Sequence, residues 1–504
     1  MLKRKENLKN KSNVSRCGFL KIAIKRLIEF IRNHILLIIL IALFGFFFFY
    51  RLDYQTLASW DEAWYASISR NMVKTGDYIN MTWNAYPYYD HPPMGFWLIA
   101  ALYKLFGINE FTTRLPSAIL SIFTIILVYF TGIKLFKNKF VGYVAALMLG
   151  TSVWYLIRVR SGNLDAFFVF FYILTIFLSL FSSKKFYYFP LVGIAFGCLM
   201  LTKTLVGLSV LPLIVFINLN QIIKIRKNLL FLVLGIAGFF AVVYPWYYSN
   251  ISKNPLFIEE HFIIVGMRNN KNLGSFLHLK PEQPLFYLHM GVRKWYYFWL
   301  LGGSFLLVSL AFLKKPVAII LFWNLLVLYP FLTSDKTHLW HLIPAYLPMV
   351  FISSYGIYKL GIFCSETIKK VIKLKINTTL VNVIFILSFS YIAFVQIKIF
   401  YNEVIPTSKY ISDDVAISKS ISKYKQTRFI DDDFAPIAVF YSGDSIIQIE
   451  KLSNEKKTLL KLFQSNEKDF VVITRNWAPN SLKENNIPYK VLEKNNSYSI
   501  VSRP

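Results

Sequence analysis

The sequence predicts a polytopic α-helical membrane protein with a small α/β domain at its C-terminal end. Three observations predict it. Hydrophobic residues make up 55% of the 504 and charged residues only 16%, with a mean hydropathy of +0.46, so the chain lacks the polar surface that a soluble protein of this length needs. Its Lys and Arg clusters all fall on one side when the long apolar runs are threaded as spans. After about Asn402 the long apolar runs give way to short alternating segments bounded by turn residues.

The chain opens on a basic segment, residues 1–33. Lys3, Arg4, Lys5, Lys9, Lys11, Arg16, Lys21, Lys25, Arg26 and Arg32 precede the first apolar run and place the N-terminus in the cytosol. The basic region is too long for a cleavable signal peptide, and no small-residue cleavage site follows the apolar core. The formal charge of +29 is therefore read as topology and as attraction to anionic lipid, not as nucleic-acid binding.

About eleven spans are expected within residues 34–401. The first runs from His34 to Tyr50. The second, Leu115–Phe136, returns to Lys137 and Lys139, and the third, Val141–Ile157, leads out to Arg158–Asp165. A fourth returns to Lys184 and Lys185. Phe186–Asn218 is long enough for a tight pair with Thr202-Lys203-Thr204 at its outer turn, and Lys224, Arg226 and Lys227 follow inside. The seventh, Leu229–Tyr244, enters an outer loop at Pro245–Pro284. The eighth returns to Lys314 and Lys315, the ninth ends at Ser334–His338, the tenth reaches Lys369–Lys375, and the eleventh, Leu380–Tyr401, leaves the C-terminal domain outside.

The first outer loop, residues 51–114, holds the stretch least suited to crossing a membrane, Ser59–Pro93. Ser59 as cap, Glu62 three residues on, and Lys74 then Gly76 at the far end predict a short helix. Trp64, Ile68 and Met72 recur every fourth residue and form an apolar stripe suited to a bilayer surface, while Asp61 and Tyr65 share a neighbouring face. Asp90-His91-Pro92-Pro93 cannot be helical through its acid–imidazole pair. Met94–Phe106, apolar but short, is expected as a second interfacial helix.

Residues 402–504 read as an extracytoplasmic α/β domain of about a hundred residues. Strands are expected at Arg428–Asp433, Ser445–Glu450 and Asp469–Thr474. Helices are expected at Pro436–Tyr441 and Asn454–Gln464, and Tyr489–Ser502 as a hairpin around Asn495-Asn496. Cys17, Cys198 and Cys364 are scattered, so no disulfide framework is expected. His338 and His341 are three apart with no acid at ligand spacing, and neither a metal nor another cofactor is assigned, although two outer acids could share a metal with a phosphate.

Ionisable groups near membrane depth are functional candidates, because burying them is costly unless they are paired. All the candidates fall on the outer side: Asp61 and Glu62, Arg70, Asp90 and His91, Asp165, Lys203, Arg268, Lys336 and His338, with Tyr65 and Tyr89 among the aromatics. Acids and cations on one face of a bundle suit a reaction in which a hydroxyl loses a proton and a phosphate departs. Each has a structural alternative. Glu62 suits a capping box, Asp61 a helix N-terminus, Asp165 an ion pair with Arg158 or Arg160, and Lys203 a snorkelling position.

The ordered set Asp61-Glu62, Tyr65-Ala66, Arg70, Gly76-Asp77-Tyr78, Tyr89-Asp90-His91-Pro92-Pro93, Leu105-Phe106-Gly107 and Arg114-Leu115-Pro116 resembles the membrane glycosyltransferases of GT-C fold. The resemblance is to the dolichyl-phosphate-mannose protein mannosyltransferase-like group that includes the bacterial aminoarabinose transferases. Asp165, Leu201-Thr202-Lys203, Pro245-Trp246-Tyr247, His261-Phe262 and Lys336 with Pro344 continue it, so that it covers about residues 34–360. The resemblance implies transfer of a sugar from a polyprenyl-phosphate donor to an acceptor hydroxyl (glycolipid, cell-wall polymer or protein) at the outer leaflet of the inner, plasma membrane. It implies Asp61 as general base, Asp165 as a positioning acid, Lys203, Arg268 and Lys336 on the lipid phosphate, Tyr65 and Tyr89 lining the cavity, and His91 near phosphate or sugar. The aminoarabinose branch carries Glu-Lys-Pro-Pro where this chain has Asp90-His91-Pro92-Pro93. A permanent cation is thus replaced by one that is charged only part of the time near neutrality, and the resemblance carries neither the aminoarabinose donor nor lipid A as acceptor to this chain. A lipid-linked sugar transporter and a non-catalytic membrane protein with an outer domain are the alternatives. The first predicts internal repeats or midplane charges, and the second predicts that Asp61 tolerates replacement.

Overall fold

The computed structural model describes residues 21, 24–26, 28–58, 60–203, 205–266, 278–334, 337–372, 378–449 and 459–504. The cap expected at Ser59, the turn residue Thr204, the candidates Arg268 and Lys336, the N-terminal basic cluster as far as Arg16, and Cys17 lie outside the described residues.

After α1 (Ile35–Phe49) the first outer loop folds as α2 (Asp61–Thr75), a two-stranded ribbon of β1 (Thr82–Trp83) and β2 (Tyr86–Pro87), and α3 (Met94–Phe106). The bundle continues with α4 (Glu110–Phe136), α5 (Lys139–Gly150), α6 (Val153–Val159), α7 (Asp165–Ser182), α8 (Phe189–Met200), α9 (Leu211–Ile222) and α10 (Ile225–Lys253). A π-helical turn at Glu259–Gly266 precedes α11 (Glu282–Val292), α12 (Trp295–Val308), α13 (Lys315–Leu332), α14 (Ile343–Ile372) and α15 (Thr378–Val404). Among the described residues six helices are long and apolar enough to cross a membrane, or up to eight if each of two bent pairs is one span, and four shorter apolar helices stand beside them.

Three expected boundaries move. The third span is broken, α5 and α6 meeting at 71°. Thr151 and Ser152 turn their hydroxyls back onto the Leu147 and Met148 carbonyls, a pattern that bends helices, and Gln396 of α15 donates to the Thr151 carbonyl at 2.7 Å. The eighth span is likewise two helices, α11 and α12, parted at Arg293, whose φ is +54°. Pro245 does not open the second outer loop; it lies inside α10, which continues to Lys253. The helices pack closely where small residues face each other, as at Gly193 of α8 against Gly235 of α10, where a Cβ would collide with backbone.

One basic group gathers beside α1, α4 and α5. Arg32, Lys137 and Lys139 line one cavity of about 400 Å³ with Tyr358 and Asn382. α7 carries Asp165 at its first residue and is followed by Lys184 and Lys185. Its 18 residues span about 27 Å at 1.5 Å per residue, close to the thickness of a hydrocarbon core, so Asp165 and the Lys184-Lys185 pair stand at opposite ends of the helix.

The C-terminal domain comprises α16 (Asp413–Ser420), β3 (Thr427–Ile430), α17 (Ala435–Ser442), β4 (Ile447–Gln448), α18 (Leu459–Gln464), β5 (Phe470–Arg475), α19 (Asn480–Glu484), β6 (Lys490–Lys494) and β7 (Tyr498–Ser502). The five-stranded sheet has order β4-β3-β5-β7-β6, parallel through its first three strands and closed by the antiparallel β6–β7 hairpin. The expected strands and hairpin are all present. The helix expected at Asn454–Gln464 is described only as Leu459–Gln464, the residues before it lying outside the described set.

The apolar stripe of α2 is a correction. Ile68 and Met72 are 0% and 1% exposed and belong to the core of the bundle, with Trp64 packed against it. They face protein, not lipid, while Ala63 and Ala66 on another side of the helix join the apolar core of the C-terminal domain.

Candidate active site

Two buried ion networks stand at the end of the bundle that carries α2 and α3. The first begins at Glu62, the second residue of α2 and 2% exposed. Its carboxylate accepts from Arg114 Nε at 2.7 Å and Nη2 at 3.0 Å, from the Ala58 N–H at 2.8 Å and from the Gly162 N–H at 2.9 Å. Arg114 spends its remaining donors on the carbonyls of Leu52, Gln55 and Thr56. Burial pushes the Glu62 carboxyl up, but the Arg114 guanidinium and the two backbone donors outweigh that and hold it below the usual glutamate range. Every strong acceptor site is taken. Glu62, a functional candidate with a structural alternative, ties the 51–58 segment, α4 and the loop before α7 into one unit. This is not the capping box expected with Ser59: the N-cap is Trp60, and Glu62 reaches two residues further back, to the Ala58 N–H.

The neighbouring Asp61 opens the helix and is half-buried. Before it, Trp60 holds φ +65° and ψ −113°, a strained conformation for a non-glycine residue that costs about 1–3 kcal/mol and persists only where its surroundings over-determine it.

The second network is centred on Asp165, 5% exposed. Lys203 Nζ lies 2.5 Å from its Oδ1 and Arg158 Nε 3.3 Å from its Oδ2. Local structure dictates this meeting. The break between α5 and α6 brings Arg158 back towards the bundle, α7 begins at Asp165, and Lys203 follows α8 in a turn. The Met94 N–H donates to the Leu201 carbonyl at 2.9 Å, fixing that turn to the start of α3. Arg158 also lies over the Trp340 and Trp154 rings at 4.9 and 5.6 Å, and His338 stacks on Trp340 with centroids 4.8 Å apart. Arg160, the other expected partner of Asp165, turns away to the carbonyls of Phe47, Arg51 and Val404.

Tyr65 stands between Asp61 and the second network. Its ring meets His91 edge-on at 5.8 Å, and its phenol is held well above the usual tyrosine range, first by burial and then by the Asp61, Asp165 and Asp90 carboxylates, with Arg158 opposing. The phenol therefore stays protonated, a neutral donor among carboxylates. Tyr89 packs edge-on against Phe257, and its carbonyl accepts from His261 Nδ1 at 2.6 Å, so the Asp90-His91 loop is tied to the second outer segment. Burial pushes the His261 imidazole down, which favours its neutral form.

Of the candidates, Asp61, Tyr65, His91, Asp90, Asp165, Lys203 and His338 lie in or beside this region. Arg70 does not. Its guanidinium is buried and donates to the carbonyls of Val439 and Phe440 in the C-terminal domain at 3.1 and 2.8 Å, so it docks that domain. Arg158 was legible only as a partner for Asp165, and Trp154 and Trp340 were not legible at all; His341, weighed beside His338 as a metal ligand, acts electrostatically on Asp165. The spacing Trp154-x-x-x-Arg158 is a local signal for the contact with Trp154 alone.

Residues 90–248 match the dolichyl-phosphate-mannose-protein mannosyltransferase family. That segment contains Asp165 and Lys203 but not Asp61. A protein of Aquifex aeolicus without assigned function is 30% identical over 36% of this chain and 37% of its own length. The undecaprenyl phosphate-alpha-4-amino-4-deoxy-L-arabinose arabinosyl transferase of Aeromonas hydrophila is 32% identical over 34% and 33%. The chain thus spans about a third of the length of these relatives. In structure it is similar to ArnT from Cupriavidus metallidurans bound to undecaprenyl phosphate, with TM-score 0.70, 16% identity, and coverage of 92% of this chain and 97% of that one. The Archaeoglobus fulgidus oligosaccharyltransferase follows at TM-score 0.56 and 12% identity over 87% and 69%. The fold is the GT-C fold, and the resemblance read in the sequence is borne out.

Proposed function

We propose that the protein is a glycosyltransferase that takes a sugar from a polyprenyl-monophosphate donor and passes it to an acceptor hydroxyl at the outer face of the plasma membrane, with its N-terminus in the cytosol and its C-terminal domain outside. The observation that carries this reading is the charge of the second network. Two cations, Arg158 and Lys203, converge on the single carboxylate of Asp165, and all three side chains are mostly buried. A phosphate monoester beside them is attracted by both cations, and low local dielectric strengthens that attraction. The similarity to a chain whose structure holds undecaprenyl phosphate supports the same ligand class.

In this reading Asp61 accepts the proton of the acceptor hydroxyl as its oxygen bonds to the anomeric carbon. The bond from that carbon to the phosphate oxygen breaks on the opposite side, the anomeric centre inverts, and polyprenyl phosphate leaves with its electron pair. Lys203 and Arg158 stabilise the charge growing on the departing phosphate, with Arg268 and Lys336 assigned the same task. Asp165 orients both cations. Tyr65 donates to sugar or phosphate, and Asp90, His91, Tyr89 and His338 border the cavity. Between the adjacent acids, the full hydrogen-bonding of Glu62 favours Asp61 as the base. The acceptor is a glycolipid, a cell-wall polymer or a protein hydroxyl.

The test is transfer by purified protein and its Asp61→Asn variant, with radiolabelled polyprenyl-phosphate sugars as donors and membrane extract as acceptor. We expect wild-type transfer and a loss of about 10²–10⁴-fold in the folded variant, the range of general-base catalysis. Equal rates in both remove Asp61 as the base.

A further inference from the structure

The C-terminal domain is fastened to the helix that bears Asp61 by contacts more specific than a tether needs. The Tyr441 hydroxyl sits between three separate elements. It accepts from the Leu57 N–H at 2.9 Å and donates to Glu110 Oε1 at 2.9 Å, joining the strap before α2, the first turn of α4 and the end of α17. The last turn of α17, whose carbonyls carry the negative end of the helix dipole, is met by two cations from α2. Arg70 donates to the Val439 and Phe440 carbonyls and Lys74 to the Gly443 carbonyl at 2.9 Å. Asn84 exchanges two hydrogen bonds with the Ile446 backbone at 2.7 and 2.8 Å. Beneath these bonds Leu57, Ala63 and Ala66 share one apolar core with Ile437, Ala438 and Phe440.

The strap carries the strained Trp60 immediately before Asp61. Such a backbone holds only when both flanks are fixed. Glu62 and Arg114 fix one flank from within the bundle, and the Leu57–Tyr441 bond fixes the other from the C-terminal domain.

We infer that the C-terminal domain is a splint for the catalytic helix, with Tyr441 and Arg70 as positioning residues that hold Asp61 in place without touching substrate. The inference deepens the function proposed above and rests on it for its kinetic arm alone.

Two variants in the full-length protein test it, Tyr441→Phe and Arg70→Met, with Arg70→Lys as the conservative partner. Hydrogen exchange is read over residues 57–66, together with binding of undecaprenyl monophosphate and sugar transfer. We expect exchange in that segment to quicken about tenfold, as loss of one or two net hydrogen bonds gives. Affinity for undecaprenyl monophosphate should stay within twofold, because Arg158 and Lys203 are untouched. The turnover number should fall about tenfold or more with little change in donor KM, and Arg70→Lys should recover part of it. Unchanged exchange overturns the inference. So does a parallel fall of exchange protection and lipid affinity, which marks general loosening. If the wild type transfers no sugar, the glycosyltransferase reading fails, yet exchange confined to residues 57–66 with intact lipid binding still supports the splint.

Discussion

The Glu62 and Asp165 networks are both buried and both contain arginine, yet they are built to opposite ends. Around Glu62 one negative and one positive charge meet, and four hydrogen bonds complete the carboxylate. Around Asp165 one carboxylate meets two cations, one of them the partly accessible Lys203. A network closed in charge and in hydrogen bonds can only position what surrounds it. One in which two cations share a single carboxylate keeps donors that an anionic ligand can use, and burial strengthens that attraction.

The comparison is easiest to break at Glu62. Glu62→Gln strands the Arg114 charge, and removing one partner of a buried pair typically costs about 3–5 kcal/mol. Thermal unfolding in detergent should show a large drop in apparent Tm, whereas an unchanged Tm would mean that the network is not closed. Lys203→Met leaves Asp165 paired with Arg158, so Tm should hardly move. Its expected effect is on binding, with affinity for undecaprenyl monophosphate falling at least tenfold, about 1.4 kcal/mol. A Tm loss as large as that of Glu62→Gln would erase the distinction between the two networks.

Acid sharpens it further. Because the native Glu62 carboxyl is held below its ordinary value, its stabilisation is complete above the unfolded value, about 4.3. It is lost as pH falls from there through the lower native value, by at most about 1.4 kcal/mol per pH unit for the one proton taken up. The slope of Tm against pH below about 4.3 should flatten in a Glu62→Gln/Arg114→Met double variant. The smallest effect is expected for the Lys409–Asp53 pair, whose side chains are 66% and 44% exposed. Lys409→Ala should change stability by less than about 1 kcal/mol, a control that separates buried networks from surface pairs.

Much of the fold was legible. Met94–Phe106 is a helix with the expected bounds, Gly76 closes α2 with φ +74°, and the C-terminal strands lie where alternation put them. These features are local, set by periodicity, capping and turn chemistry within a few residues. The site was legible as a set of residue types at one end of the bundle, and Lys203 and Asp165 do meet there. Their mutual pairing, the aromatic bed of Arg158 and the diversion of Arg70 were not, because each depends on residues far apart in the chain. Arg70 lies 369 residues from its first carbonyl partner.

By itself the sequence determined the membrane class, the placement of most helices, the small sheet domain and the gathering of ionisable groups opposite the lysine clusters. Those follow from composition and from patterns that the chain cannot satisfy in another way. Tertiary structure alone decided that Ile68 and Met72 face protein, that Glu62 is clamped while Asp61 beside it is not held by Arg114, and that the C-terminal domain rests on the helix between them. An apolar stripe reads the same whether lipid or protein covers it, since both remove it from water. Adjacent carboxylates likewise read alike until a distant guanidinium, 52 residues along the chain from Glu62, comes within hydrogen-bonding distance of one of them.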